Sequence, residues 1–285
     1  MLNFRYHALS LVAVFLSLAI GLLLGVAIGD KGLVSSAESD VRASLRGDVR
    51  QAQSQRDAAV GQLQERQRFE QAAYPALVGG RLVGKRIALI ELGDPSDRMW
   101  NLTNAALQGS GAQLTSVSVI REPLEVSGLA ADAHGTRYEQ LVEDASLLHP
   151  FGTRLGIQFT EGGALLRAER RDLLREGSGT LGGADGIVIV RDTPTLPKAD
   201  GDAVAAFEDG LVRGLLAHDV PVVGVETTDA EVSQVGWFKG QGMSSVDDLD
   251  DLIGRAALVY ALAGQRGSFG VKATADGGRL PPLLQ

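Results

Sequence analysis

Twenty-one consecutive residues, Ala8 to Ile28, carry no charge, and this run constrains the chain more than any other feature. A helix of that length reaches roughly 30 Å, the thickness of a bilayer's hydrocarbon core. Two other readings compete. A cleaved signal peptide would place the small residues Ser35 and Ala37 before the cut, but the run exceeds the ~7–15 residues of a signal's apolar region. A buried core helix fits less well, because nothing amphipathic interrupts the run and a highly charged stretch follows it. The expectation is an uncleaved single-pass anchor in the plasma membrane, with the bilayer as its partner. Orientation is weakly fixed by charge: Arg5 precedes the span, and Lys31, Arg42 and Arg46 follow it. Long domains translocate largely regardless of such charges, so the large C-terminal part is expected to be extracytoplasmic.

Within the run, Ala13, Ser17, Gly21, Gly25 and Gly29 recur every four residues. Small residues let helix backbones approach closely in lipid, where packing replaces the missing hydrophobic drive. The stripe drifts by about 40° per step, so a right-handed crossing would centre near Gly21 and Gly25. Ser17, Gly21, Gly25 and Gly29 are the expected helix-association residues. The alternative is that small residues are simply common in membrane helices.

The remainder reads as three parts after the anchor of residues 1–30. Residues 31–75 form a stalk, rich in Ala, Gln, Arg and acids and free of proline between 36 and 73. Leu45, Val49, Ala52, Ala59 and Leu63 follow a loose 3-4 spacing that Arg56, Arg66, Gly47 and Gly61 weaken, giving marginal coiled-coil character. A solvated helix packed on its own domain is the alternative. Residues 76–272 read as an α/β domain. Short apolar runs at 87–90, 112–120, 186–192 and 220–226 have the signature of buried strands, with a short one at 267–271. Helical patterns lie at 97–108, 136–148, 161–175, 202–218 and 246–263. Strands alternating with helices predict a Rossmann-like, mostly parallel sheet. Residues 121–160 lack clean periodicity and read as an insertion or irregular loop, and residues 273–285 as a mobile tail.

Candidate chemistry is sparse. The net charge of −8 argues against nucleic acid, and the absence of cysteine excludes thiolate sites. "GSGTLG" (177–182) has the letters of a dinucleotide fingerprint, but it follows a helical pattern and precedes a strand, so Gly177 or Gly179 reads as a helix C-cap. In "LGDPSDRMW" (92–100), Asp94, Ser96 and Asp97 lie where α/β folds bind ligands, yet Ser96 or Asp97 equally suits a helix N-cap. In "SSVDDLDDL" (244–252), Ser244 or Ser245 would cap a helix whose first turn holds Asp247, Asp248, Asp250 and Asp251. A cation on Asp247 and Asp251, one helical turn apart, is the alternative. His7, His134, His149, His218 and the internal Met99 and Met243 show no ligand-like spacing. No catalytic motif is present, so the chain is expected not to be an enzyme, to have no catalytic residue and to hold no cofactor tightly.

Three stretches nevertheless resemble one family. "FRYHALSLVAVFLSLAIGLLLG" (4–25), "LVGGRLVGKRIALI" (77–90) and "SSVDDLDDLIGRAALVYALAGQRGSFG" (244–270) are similar to the actinobacterial MctB-like copper-transport proteins, also known as SteB in cell separation. The resemblance implies copper homeostasis at the cell envelope, with copper as a ligand and no residue assigned to it. It also implies a homo-oligomer or a SteA-like membrane partner, and regulation of peptidoglycan hydrolases.

Overall fold

The computed structural model describes residues 4–29, 31–193 and 195–282. Two units divide between Arg68 and Phe69. The first holds α1 (Phe4–Ile28) and most of α2 (Lys31–Val78). Among the described residues α1 is the one helix long and apolar enough to cross a membrane, over Arg5–Ala27, with its side chains exposed. Leu45, Val49 and Leu63 of α2 are exposed in the single chain. The end of α2 belongs to the second unit because its side chains are core. Tyr74 donates its hydroxyl to Ala106 O at 2.7 Å, and Val78 is fully buried.

The second unit runs β1 (Arg86–Leu92), α3 (Asp97–Leu107), β2 (Gln113–Ile120), α4 (Val126–Asp132), two 3₁₀ turns (Arg137–Gln140 and Ala145–Leu147), α5 (Leu148–Glu161), α6 (Ala164–Ala168), α7 (Arg170–Leu173), β3 (Leu174–Gly179), β4 (Gly186–Arg191), α8 (Lys198–Leu215), β5 (Val222–Val225), α9 (Val235–Gly240), β6 (Ser244–Val246), α10 (Leu252–Leu262) and β7 (Ser268–Phe269). The seven strands form one sheet in the order β3-β2-β1-β4-β5-β6-β7. Every pairing is parallel except β2 with β3. Alternation along β1 divides the apolar core between the two faces of the sheet. Ala88, Ile90 and Leu92 join one cluster, and Ile87 and Leu89 the other.

The first cluster depends on two glycine pairs. Gly152 and Gly156 of α5 lie against Gly210 and Gly214 of α8, and the two helices run in the same direction. A Cβ on Gly156 would sit 2.2 Å from Leu211 O, and one on Gly214 2.1 Å from Thr153 O. Hydrogens alone permit this approach. It brings Phe151 to 6.2 Å from Phe207, between ring centres, under the sheet.

Several expectations are corrected. Residues 148–161 form a regular helix, and 136–148 is two 3₁₀ turns leading into it. The helix expected over 161–175 is two short ones, α6 and α7, which give way to β3. Gly177 and Gly179 cap no helix: they lie in β3, where Gly179 takes a φ of +75°. Ser244 and Ser245 are in a strand, so the cap of the last helix is Asp251, which accepts from Ile253 N at 3.2 Å. Residues 273–282 are tied down. Arg279 bonds Asp248 at 3.1 Å and also reaches Asp251, Lys239 bonds Asp276 at 2.9 Å, and Leu280 packs on the core. Residues 283–285 lie outside the described residues.

Candidate functional site

The strand order changes direction between β1 and β4, and in such sheets the crevice beyond the carboxyl ends at that point is where ligands bind. Gly93, just past β1, takes a φ of +106°, and a Cβ there would come within 3.0 Å of Asp192 Cβ just past β4. The Asp192 amide donates to Leu92 O at 2.8 Å and fastens the two strand ends together. Glu91, on β1, accepts from the Ser96 amide at 3.0 Å while its Oε1 is buried with no partner. Ser96 in turn caps α3, accepting from Met99 N at 3.2 Å, as one of the two sequence alternatives anticipates.

On the opposite face the end of β4 presents Arg191. Its Nε and Nη2 fork onto Glu208 of α8 at 2.9–3.1 Å, its Nη1 reaches Gln234 Oε1 at 2.6 Å, and its guanidinium lies 4.5 Å from the Trp237 ring centre. Glu122, just past β2, lies nearby with a buried, unpartnered Oε1. Burial pushes its carboxyl up to about 8, with Glu208 adding to the shift and Arg191 opposing it. At the end of β5, Glu226 accepts from Ser233 Oγ at 2.7 Å, Gln234 N at 2.5 Å and Lys272 Nζ at 2.6 Å. Arg175 of β3 bridges to Asp94 and to Glu122 O. The result is an acidic rim whose cations are already engaged.

The acids of 247–251 are dispersed into separate tasks. Asp247 accepts from Val271 N and Lys272 N, Asp250 from Thr228, and Asp248 and Asp251 hold Arg279. Asp247 and Asp251 do not share a helix face, because 247–251 precedes α10. His134, His149 and His218 each face their own carboxylate, Glu139 at 3.3 Å, Asp209 at 3.1 Å and Glu161 at 3.1 Å. Met99 and Met243 are buried. Among the described residues no group of three or more His, Cys, Asp or Glu is disposed to hold a metal ion.

On α1, Ser17, Gly21 and Gly25 line one open groove of ≈ 590 Å³ with Val14, Leu18, Leu22 and Val26. Gly29 lies one residue past the helix end, where its amide donates to Gly25 O at 2.8 Å.

A further acid escapes any sequence signal. Glu169, between α6 and α7, is fully buried with both oxygens unpartnered, and burial with Asp132 and Asp172 lifts its carboxyl to about 8. Raised native values mean that folded Glu122 and Glu169 keep protons that the unfolded chain releases from about pH 4.5 upward. Their contribution is therefore complete below that pH and is lost as pH rises through about 8. Replacing Glu169 by Gln is expected to raise the melting temperature at pH 8.5 and to leave it nearly unchanged at pH 5, as read by tryptophan fluorescence.

An α/β chain with an open, mostly parallel sheet and an N-terminal helix long and apolar enough to cross a membrane is the class these observations define. The family model described as "Copper transport outer membrane protein, MctB" matches residues 1–278, and the chain belongs to that family. Relatives named copper transporter MctB, from Mycobacterium bovis and Mycobacterium tuberculosis, are 29% identical over 279 residues, covering 97% of this chain and 79% of theirs.

Proposed function

We propose that this chain serves copper transport as a single-span envelope protein, anchored by α1 in the plasma membrane with its α/β domain on the outer side. The family match over residues 1–278 is the observation that carries the copper-transport part of this reading, and the apolar helix over Arg5–Ala27 supports the anchor. One span encloses no pore, so α1 acts by associating with other spans through the groove at Ser17, Gly21 and Gly25, in a second copy or a membrane partner. The α/β domain is a non-catalytic binding module, and α2 supplies a coiled-coil contact when copies assemble. Loss of the chain in its own host is expected to lower copper tolerance, and the wild-type gene to restore it. The Gly21→Ile/Gly25→Ile variant is expected to insert normally, since isoleucine is at least as apolar as glycine, but not to restore tolerance. A C-terminal reporter active only outside the cytoplasm checks the topology. Unchanged copper tolerance with failed cell separation in the deletion strain would overturn the copper reading and favour a regulator of peptidoglycan hydrolases working with a SteA-like partner.

A further inference from the structure

The stretch "RAERRDLLR" (167–175) places four arginines within nine residues of a chain whose net charge is −8. α6, α7 and β3 wrap them around one open hollow of ≈ 360 Å³, lined by Arg167, Arg170, Arg171, Arg175, Leu174 and Glu176 among others. The two other acids of the stretch do not line it. Glu169 is fully buried, and Asp172 lies against Gly128 of α4, where a Cβ would meet its Cγ at 2.7 Å. Four arginines and one acid, Glu176, line the hollow, while Asp94 pairs with Arg175 and Asp132 lies near Arg171 from outside that lining, so positive charge remains in excess.

Two of the four arginines are braced from within. Arg170 donates to Gly177 O at 3.3 Å, and Arg175 is held by Asp94 and by Glu122 O. Arg171 is near the Asp132 carboxylate. Arg167 makes no hydrogen bond or ion pair with another described residue. Braced guanidinium groups lose little freedom when an anion arrives, and each offers a planar fork of donors that remains charged at any physiological pH.

We propose that this hollow binds a phosphate group. A carboxylate is saturated by about two forked arginines, whereas a phosphate presents more oxygens and more charge to several at once. The volume lies in the range of small-ligand sites. The phosphate arrives either on a lipid headgroup or on a soluble small molecule, and the chemistry of capture is the same for both.

The test uses the full chain in a zwitterionic detergent, with inorganic phosphate titrated at constant ionic strength and thermal unfolding followed by tryptophan fluorescence. Saturable stabilisation in the millimolar range is expected. The Arg167→Gln/Arg171→Gln variant should weaken it at least about tenfold. Arg154→Gln, an exposed arginine on α5 outside the hollow, should leave it unchanged. Should the double glutamine variant fold poorly, Arg167→Lys/Arg171→Lys keeps the charge, loses the fork, and is expected to bind more weakly than wild type. Mixed micelles containing phosphatidic acid that displace inorganic phosphate at a lower headgroup concentration than glycerol 3-phosphate does assign the site to a lipid headgroup, and glycerol 3-phosphate displacing as well as or better than the micelles assigns it to a soluble phosphate. Absence of saturable binding, equal binding by the double variant, or tighter displacement by a hexaglutamate peptide than by either phosphate overturns the proposal.

Discussion

Valine at Gly156 or Gly214 is expected to cost about 3 kcal/mol or more, the upper end of overpacking effects, and to lower the melting temperature of the second unit sharply. Ordinary packing leaves no 2.2 Å gap between a carbon and a carbonyl oxygen, so α5 and α8 would have to part along their whole length. Phe151, Leu155 and Phe159 would then lose their seat against Phe207, Leu211 and Leu215. The measurement is direct because both tryptophans, Trp100 and Trp237, belong to the second unit. Gly47 and Gly61 in α2 provide the contrast: nothing lies within 4 Å of a Cβ at either, and alanine there should stabilise the helix by ~0.5–1 kcal/mol. A cost below about 1 kcal/mol at Gly156 would contradict the close-packed account.

The second large effect lies at Arg191. Methionine there leaves Glu208, 1% exposed, without its cation and Gln234 without its donor. Removing one partner of a buried pair costs about 3–5 kcal/mol, whereas replacing both by apolar residues of similar volume is often neutral. Arg191→Met alone should therefore be severe, and Arg191→Met/Glu208→Leu should recover most of the loss. The same substitution lifts the guanidinium from Trp237, so its fluorescence reports the local change alongside the unfolding midpoint. Additive losses in the double variant would show that the pair is not a unit.

Several features were legible in the sequence for simple reasons. α1 is an unbroken apolar run, and β1, β2, β4 and β5 are short apolar runs closed by turn residues, which one-dimensional patterning captures. The failures also have physical causes. α5 contains Pro150, Gly152 and Gly156, residues that read as helix breakers. Here the proline occupies the first turn and the glycines are spaced to receive α8, a fact that requires the partner helix to be known. β3 is exposed from Arg175 to Gly179 and shows no apolar alternation, so its strand character comes from pairing with β2 alone. The arginine hollow was hidden because Glu169 and Asp172 interrupt the basic run, and a sequence does not say that both are turned away. The rim at the carboxyl ends was anticipated only through Asp94, Ser96 and Asp97. Glu122, just past β2, is brought to Arg191 and to Glu208 of α8 by the pairing of β2, β1 and β4, strands far apart in the chain.

That separation has a temporal consequence. β1 sits at the centre of the sheet between β2 and β4, and Arg86 and Asp185, bonded to each other beside them, are 99 residues apart in sequence. A ribosome extending the chain at about 5–20 residues per second delivers β4 several seconds after β1. Until β4 arrives, β1 has an unsatisfied backbone edge, and the apolar faces of the sheet still lack α8 and α10. The chain is thus most vulnerable to misassociation midway through its own synthesis, and conditions that slow its delivery lengthen the hazard in proportion.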